Sequence, residues 1–349
     1  MAERVAAVLT DFLDAQRTVL AEVGEELAAL LDAIGDLLAG GKRLRPLFCY
    51  WGYRGTGAPD TDAVVAAAAS LEMFHAAALV HDDVMDGSDT RRGLPAAHRR
   101  FATLHRQSGW RGSDASFGIA GAILLGDLAL TWSDQLFAAA RLDAPALTRG
   151  RTVFDRMRTE LMGGQYLDML EQVRDGGSVS RARRVIRYKS AKYTVEQPLL
   201  LGGALAGADA ALLGTYSAYG MPLGEAFQLR DDVLGVFGDP GQTGKPAGDD
   251  LREGKRTVLV AMALEHATTT QSAVLHAALG DPYLDADGVA TARQVLVDTG
   301  ALTGVERMIE SLTEQAVRSL DDAATRVGLA EPALRVLAQL AEDATVRVG

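Results

Sequence analysis

Apolar residues recur at helical spacing along almost the whole chain. Val5, Val8, Leu9, Phe12, Leu20, Val23, Leu27, Leu30 and Ile34 predict one or two N-terminal helices. Gly40 and Gly41 break the pattern, and Lys42, Arg43 and Arg45 precede Pro46 and a further apolar helix. Leu71, Phe74, Ala78 and Met85 resume the period, predicting a buried helix that ends near Asp86. Residues 87–112 are polar and read as a loop. Residues 117–140 predict a long helix interrupted at Gly126-Asp127, and residues 153–173 and 212–237 predict two more. Residues 180–205 read as helical with a kink at Pro198, which would either open room for a ligand or mark a surface bend. From Val258 onward three or four helices are expected, with Val305, Met308, Ile309, Leu312, Ala316, Leu320, Ala323 and Val327 forming one stripe. No segment alternates with period two, no repeat appears and no low-complexity linker divides the chain. The pattern predicts an all-α fold and a single domain over residues 1–349.

Composition sharpens this picture. The chain is 48% hydrophobic but only 6% aromatic, which favours packed helices over a sandwich or barrel. Its net charge of −11 argues against nucleic acid as a partner. The single cysteine, Cys49, excludes a disulfide within the chain and fits a small core residue in a reducing compartment. Residues 1–14 mix acidic and basic groups without a signal-type apolar core, and no run of eighteen uncharged apolar residues occurs. A cytoplasmic protein without a membrane span is therefore expected.

Two acidic clusters carry the candidate chemistry. Asp82, Asp83 and Asp86 close the helix that contains His75 and His81, and Arg91 and Arg92 follow. Asp82 and Asp86 share one helix face, and carboxylates crowded at a negative helix end call for compensating cations. A solvated acidic helix end is the alternative. Gln228, Asp231 and Asp232 form the second cluster, and two such helices facing each other are the arrangement bundles use for metals. Mg²⁺ suits carboxylate oxygens and completes its shell with water and substrate phosphates. The Gly40-Gly41 turn with its basic triplet is either an anion site or a solvated turn. Gln165 and Asp168, three apart on a helix, are either a buried pair or a cavity lining. Residues 238–254, rich in Gly, Pro and Asp, read as a lid or as a flexible connection. Asp127 is assigned no role.

Together these motifs resemble the trans-isoprenyl diphosphate synthases, or polyprenyl synthetases. The likeness runs over about residues 40–260, from Gly41-Lys42-Arg43-Leu44-Arg45-Pro46 to Lys255-Arg256-Thr257. Asp82-Asp83-x-x-Asp86 with Arg91-Arg92-Gly93 is similar to the family's first aspartate-rich motif. Gly224, Phe227, Gln228, Asp231 and Asp232 are similar to the second. Gly164-Gln165-Tyr166-Leu167-Asp168 and Lys189-Ser190 resemble the two motifs between, with Ser190 where threonine is usual. One departure is Gly235, which stands where the family commonly has a third aspartate; Asp239, one turn on, is placed to assist.

The resemblance implies a bundle of the isoprenoid synthase type with a central prenyl-chain cavity, and a homodimer. It implies head-to-tail condensation of isopentenyl diphosphate with an allylic diphosphate (dimethylallyl, geranyl or farnesyl), with three Mg²⁺. Asp82, Asp83, Asp86, Asp231 and Asp232 would serve this centre, with Asp82, Asp86 and Asp231 as direct metal ligands. Lys189 and Lys245 would add positive charge beside the leaving diphosphate, with Arg91 on the same group. Lys42, Arg45, His75 and Arg92 match the isopentenyl diphosphate site, and Gln165, Ser190, Phe227, Gln228 and Lys255 the remaining substrate contacts. Phe74, Ala77 and Ala78 lie before Asp82, where chain length is set, and small residues there point to geranylgeranyl diphosphate. The alternatives are a longer-chain or farnesyl synthase, then a class I terpene cyclase or a non-catalytic synthase subunit. Lys42, Arg45 and Arg92 argue against the cyclase and the two aspartate motifs against the subunit.

Overall fold

Short oxygen-bearing side chains start many of the helices, each accepting a hydrogen bond from an otherwise unpaired backbone N–H of the first turn. Thr61, Ser113, Asp209 and Thr257 do so for Val64, Ser116, Leu212 and Val260. Thr268 and Gln271 form a reciprocal capping box. At the other end, Gly87 closes the long helix of the first acidic cluster in the left-handed conformation that glycine adopts without strain.

The structure, a computed structural model, describes all residues except Asp175, 239–247 and 346–349, and the side chains except also those of 322–326, 344 and 345. The helices are α1 (Ala2–Val23), α2 (Ala28–Ala39), α3 (Leu44–Arg54), α4 (Asp62–Asp86), α5 (Ala97–Gln107), α6 (Asp114–Ala139), α7 (Ala144–Val173) and α8 (Val179–Val185). A π-helical stretch, Ile186–Glu196, leads into α9 (Gln197–Ala206) and α10 (Ala210–Phe237). After these come α11 (Asp249–Arg252), α12 (Val258–His266), α13 (Thr269–Ala278), α14 (Ala286–Asp298), α15 (Ala301–Arg326) and α16 (Glu331–Thr345). Among the described residues the β-structure is one two-residue ladder, Thr90–Arg91 (β1) with Leu94–Pro95 (β2). The fold class is all-α.

The chain divides into two compact units. The first, Met1–Tyr50 with Pro59–Leu147, is built on α4, which packs along α6 while α5 covers α6 and α1 and α2 adjoin α4. Val64, Ala68, Leu71, Met73, Phe74 and Val80 of α4 lie in its core. The second, Trp51–Ala58 with Thr148–Gly349, is built on α10, which packs on α15 and on the π-helical stretch. Leu229, Val233 and Val236 of α10 share one apolar cluster with Val258, Leu259, Leu275, Leu296 and Val305.

Several sequence expectations are corrected. Residues 87–112 are not a loop but β1, β2 and α5; His98, Phe101, Ala102 and His105 form the buried face of α5, a helical period concealed because two of its members are histidines. The 117–140 helix begins earlier, at Asp114, and runs unbroken through Gly126, where the His81 ring takes the space a Cβ would need. Pro198 is buried in the first turn of α9, directly after the π-helical stretch, so it is no surface bend. Met85 and Val23 are exposed rather than part of buried stripes. Five helices, not three or four, follow residue 257 among the described residues. α4 and α6 are long and apolar enough to cross a membrane, although each contains charges; 72% of the apolar window of α4 is buried inside the fold, against 33% for α6.

Candidate functional site

In the first unit, the end of α4 gathers the acidic and basic candidates. Asp82 and Asp86 sit one turn apart, partly exposed, while Asp83 is buried. Arg91, on β1, donates through Nε to Asp83 at 2.8 Å and lies 3.4 Å from Asp82 through Nη2. Asp83 thus anchors Arg91, and Arg91 screens Asp82. Arg92 follows with a left-handed backbone, φ 54°, uncommon outside glycine. Its guanidinium donates to the carbonyls of Leu37 and Gly40, 2.7 Å each, closing the end of α2. Arg43 has the same φ and is buried against Glu72 at 2.7 Å. Arg45, half-buried, and Lys42, exposed, lie on either side of it in sequence. His75, one residue past Phe74 on α4, has its pKa held well below 6.5 by burial and by the charges of Arg45, Arg92, Arg91 and Arg43. It is therefore neutral at pH 7, a ring N–H donor in a field of positive charge suited to an anion.

In the second unit, two glycines let the π-helical stretch come close to its neighbours. A Cβ on Gly164 of α7 would fall 2.8 Å from Cα of Lys189, and one on Gly224 of α10 would fall 2.6 Å from Cα of Ala191. Lys189 and Ser190 are thereby held against both helices. Lys189 donates to Asp168 at 2.6 Å. Ser190 donates to Gln228 at 2.5 Å, and Gln228 donates to Asp232 at 2.8 Å. Burial pushes the Asp232 carboxyl well above the usual carboxylate range, with Asp250 and Asp231 adding to the effect and Gln228 and Lys255 opposing it. Lys255 donates to Asp250 at 3.2 Å and also pairs with Glu253. Phe227 is buried, while Gln165 and Asp231 are partly exposed. Lys245 and Asp239 lie outside the described residues.

The donor set fits a hard divalent cation: each acidic cluster presents carboxylate oxygens on a helix face, with no thiol among them and the neighbouring His75 facing arginines. Among the described residues, no three Asp, Glu, His or Cys side chains converge as a preformed metal cage.

Three further positions carry contacts that the sequence pattern leaves without a role. Asp168 is the partner of Lys189, and its shared face with Gln165 was the available signal. Glu160 accepts from Lys192 at 2.9 Å, from Gln197 at 3.1 Å and from Arg156 at 2.9 Å; only the Arg156 contact, at i,i+4, has a local signal, because Lys192 and Gln197 lie more than thirty residues away. Glu72 is the acid in the apolar middle of α4, a pattern that itself calls for a buried partner.

Comparison with known proteins matches this arrangement to one family. The Polyprenyl synthetase family model covers residues 27–296. A geranylfarnesyl diphosphate synthase of Aeropyrum pernix is 33% identical over 80% of this chain and 82% of its own. A nonaprenyl diphosphate synthase of Mycobacterium tuberculosis is 31% identical over 89% and 84%. The crystal structure of a geranylgeranyl pyrophosphate synthase from Corynebacterium glutamicum, complexed with isoprenyl diphosphate and magnesium, superposes with a TM-score of 0.95 at 40% identity, covering 99% of this chain and 98% of that one. The chain therefore belongs to the polyprenyl synthetase family, whose members use Mg²⁺ with isopentenyl and allylic diphosphates, and it is a trans-prenyltransferase of isoprenoid biosynthesis.

Proposed function

We propose that this enzyme extends allylic diphosphates (dimethylallyl, geranyl and farnesyl) with isopentenyl diphosphate, head to tail, and releases all-trans geranylgeranyl diphosphate as its main product. The observation that carries the product assignment is α4 before Asp82. Four and five residues back stand Ala78, half-buried, and Ala77, buried; the first bulky side chain is the buried Phe74. Eight residues of helix put Phe74 about 12 Å from Asp82, deeper than a floor at Ala78 would be. Trp132, the other candidate floor, stands edge-on to Phe12 with ring centroids 6.2 Å apart, which ties it to α1 and favours Phe74.

In this reading Asp82, Asp86 and Asp231 are metal ligands. Three bound Mg²⁺ would neutralise the charge that builds on the diphosphate as its C–O bond breaks. Lys189, with Lys245, adds fixed positive charge beside that leaving group, Asp168 aims the Lys189 ammonium, and Asp83 holds Arg91 toward the same anion. Lys42, Arg45, neutral His75 and Arg92 receive the diphosphate of isopentenyl diphosphate. Gln165, Ser190, Gln228 and Lys255 complete the substrate contacts, and the apolar helices exclude water from an allylic cation that Phe227 faces with its ring. Both units act as one polyprenyl synthetase domain, a reading supported by a family match that runs through both. The exposed apolar residues of α6, Ile119, Ile123 and Leu124 beside Phe117, support a homodimer that covers them.

Incubating the enzyme with labelled isopentenyl diphosphate and each allylic starter, with and without Mg²⁺, tests this reading. Geranylgeranyl diphosphate formed only with Mg²⁺ is the expected result. Ala78→Phe should shorten the product and Phe74→Ala lengthen it. A wild type that stops at farnesyl diphosphate, or an Ala78→Phe variant with an unchanged product, refutes the chain-length assignment.

A further inference from the structure

Ile186–Glu196 is π-helical over eleven residues, whereas the form usually occurs as a single-turn bulge inside an α-helix, often at a functional site. So long a run needs support from its neighbours. The close approaches at Gly164 and Gly224 fix how near the stretch comes to α7 and α10, but a backbone contact does not fix how the stretch is turned. Charges do. The stretch carries three basic residues, and each pairs with an acid of a neighbouring helix. Arg187, joined by Arg183 of α8, donates to Glu225 of α10, at 3.1 and 2.7 Å respectively. Lys189 donates to Asp168 of α7. Lys192 reaches both carboxylate oxygens of Glu160 at 3.0 and 2.9 Å, and the same group accepts from Gln197 at the start of α9. Glu225 is 4% exposed, and the Lys192 and Glu160 side chains are 13% and 16% exposed, so water and salt screen these charges little. Burial works to raise the Glu160 carboxyl, and hydrogen bonds from Lys192 and Arg156 outweigh it, leaving the group below the usual carboxylate range. The Glu160–Lys192 pair is therefore ionic at neutral pH.

The spacing on α7 sets a register. Glu160, Gly164 and Asp168 are four residues apart and share one helix face. Gly164 is where the backbone of Lys189 comes close, with Glu160 one turn before it and Asp168 one turn after. Lys192 pairs on one side of that contact and Lys189 on the other, so a slide along α7 that shortens one pair stretches the other. Glu225, the neighbour of Gly224, holds the start of the stretch to α10 through two arginines. Asp168 alone would not suffice, because the flexible four-carbon stem of a lysine reaches one acid from several registers. Resting on the reading of Lys189 and Ser190 as contacts of the allylic diphosphate, we propose that Glu160 with Lys192, and Glu225 with Arg183 and Arg187, are positioning residues that lock the π-helical stretch in the register that aims Lys189 and Ser190 at that anion. These five residues act through the stretch and do not themselves meet the substrate.

Removing one charge, then both, tests the lock. Glu160→Gln and Lys192→Met each leave a buried partner unpaired and should lower the melting temperature together with kcat/KM for the allylic diphosphate. The double variant Glu160→Gln/Lys192→Met buries no unpaired charge, so its melting temperature should return toward wild type, and it decides the matter even if a single variant fails to fold. Its kcat/KM for the allylic diphosphate should stay about 10²-fold down, the effect of a misplacement of about 1 Å, while KM for isopentenyl diphosphate stays near wild type. The pyrophosphate concentration that half-saturates the rise in melting temperature at saturating Mg²⁺ should climb in the double variant, a readout independent of turnover. Glu225→Gln should show the same pattern, since Arg183 and Arg187 are half-exposed and turn to water. Arg149→Ala is the control. Arg149 ties the start of α7 to the end of α9 through the carbonyls of Ala204 and Leu205, about 28 Å of helix from Asp168, so its loss should lower the melting temperature and leave both substrates' kinetics unchanged. The proposal is overturned if the double variant recovers the allylic kcat/KM along with its melting temperature, as a merely structural pair would, or if KM for isopentenyl diphosphate rises equally. Lys189→Ala separates the two levels. If it spares both the allylic kcat/KM and the pyrophosphate midpoint, the reading of Lys189 fails as well; if it damages both while the double variant keeps them, only the lock does.

Discussion

Replacing Gly224 by alanine should damage the enzyme through the backbone alone. The added Cβ would lie 2.6 Å from both Cα and the carbonyl oxygen of Ala191, and 2.9 Å from its carbonyl carbon. Ordinary carbon contacts sit at about 3.5–4.0 Å, and the obstructing atoms are backbone, so the π-helical stretch must retreat by roughly 1 Å. Overpacking of this kind costs about 1–3 kcal/mol, or a fall in melting temperature of roughly 2–6 °C at about 2 °C per kcal/mol. The functional loss should be larger. Ala191 is flanked by Ser190, whose 2.5 Å bond to Gln228 leads on to Asp232, and follows Lys189 by two residues. A 1 Å misplacement of such groups lowers turnover by about 10²-fold. The assay is incorporation of labelled isopentenyl diphosphate beside a thermal melt, with Gly214→Ala as the control. Gly214 lies on the same helix with nothing within 4 Å of its added Cβ, so alanine there should stabilise by about 0.5–1 kcal/mol. If Gly224→Ala kept wild-type turnover and melted like the control, the close approach would not be what holds Lys189 and Ser190.

Asp82→Ala and Asp231→Ala should each lower turnover by orders of magnitude while leaving the melting temperature within a few degrees, since both are partly exposed; near-normal rates at saturating Mg²⁺ would remove that residue from the metal site. Arg92→Ala should raise KM for isopentenyl diphosphate and also lower the melting temperature, because Arg92 closes the end of α2, whereas Lys189→Ala should chiefly impair the allylic substrate; steady-state kinetics with each substrate varied would reverse the assignment if the pattern were opposite. His75 has a folded pKa below its ordinary 6.5, so the unfolded chain binds its proton first and stability present above about pH 6.5 is lost as pH falls below it; denaturant melts from pH 8 to pH 5 should show a shallower loss in His75→Gln, and equal slopes would refute the shift.

How much of this was legible depended on whether the partner of a residue was close in sequence. Helices with a clean apolar period were read correctly in kind, and α4 and α10 end at Asp86 and Phe237 as expected. α5 shows no clean apolar period because two of its four buried positions are histidines, which count as polar in any periodicity. The expected break at Gly126 came from treating glycine as punctuation. There glycine is instead a clearance for His81, forty-five residues earlier in the chain, and clearances carry no local signal.

The candidate site divides along the same line. Spacing within one helix pairs Asp82 with Asp86, Gln165 with Asp168 and Gln228 with Asp232, since positions three or four apart share a face. What spacing cannot supply is the direction each group faces. The motif marks Arg92 as an anion contact, and spacing gives no sign that its guanidinium also completes the end of α2 by donating to two carbonyls. Gly235 is the sharpest instance. Taken along the helix it is a missing carboxylate, and the nearest replacement in sequence is Asp239, one turn on. In space, the volume that a side chain at 235 would enter holds the carboxyl of Asp250, fifteen residues away. A clearance of that kind is set by another segment of the chain, so no spacing along α10 can announce it.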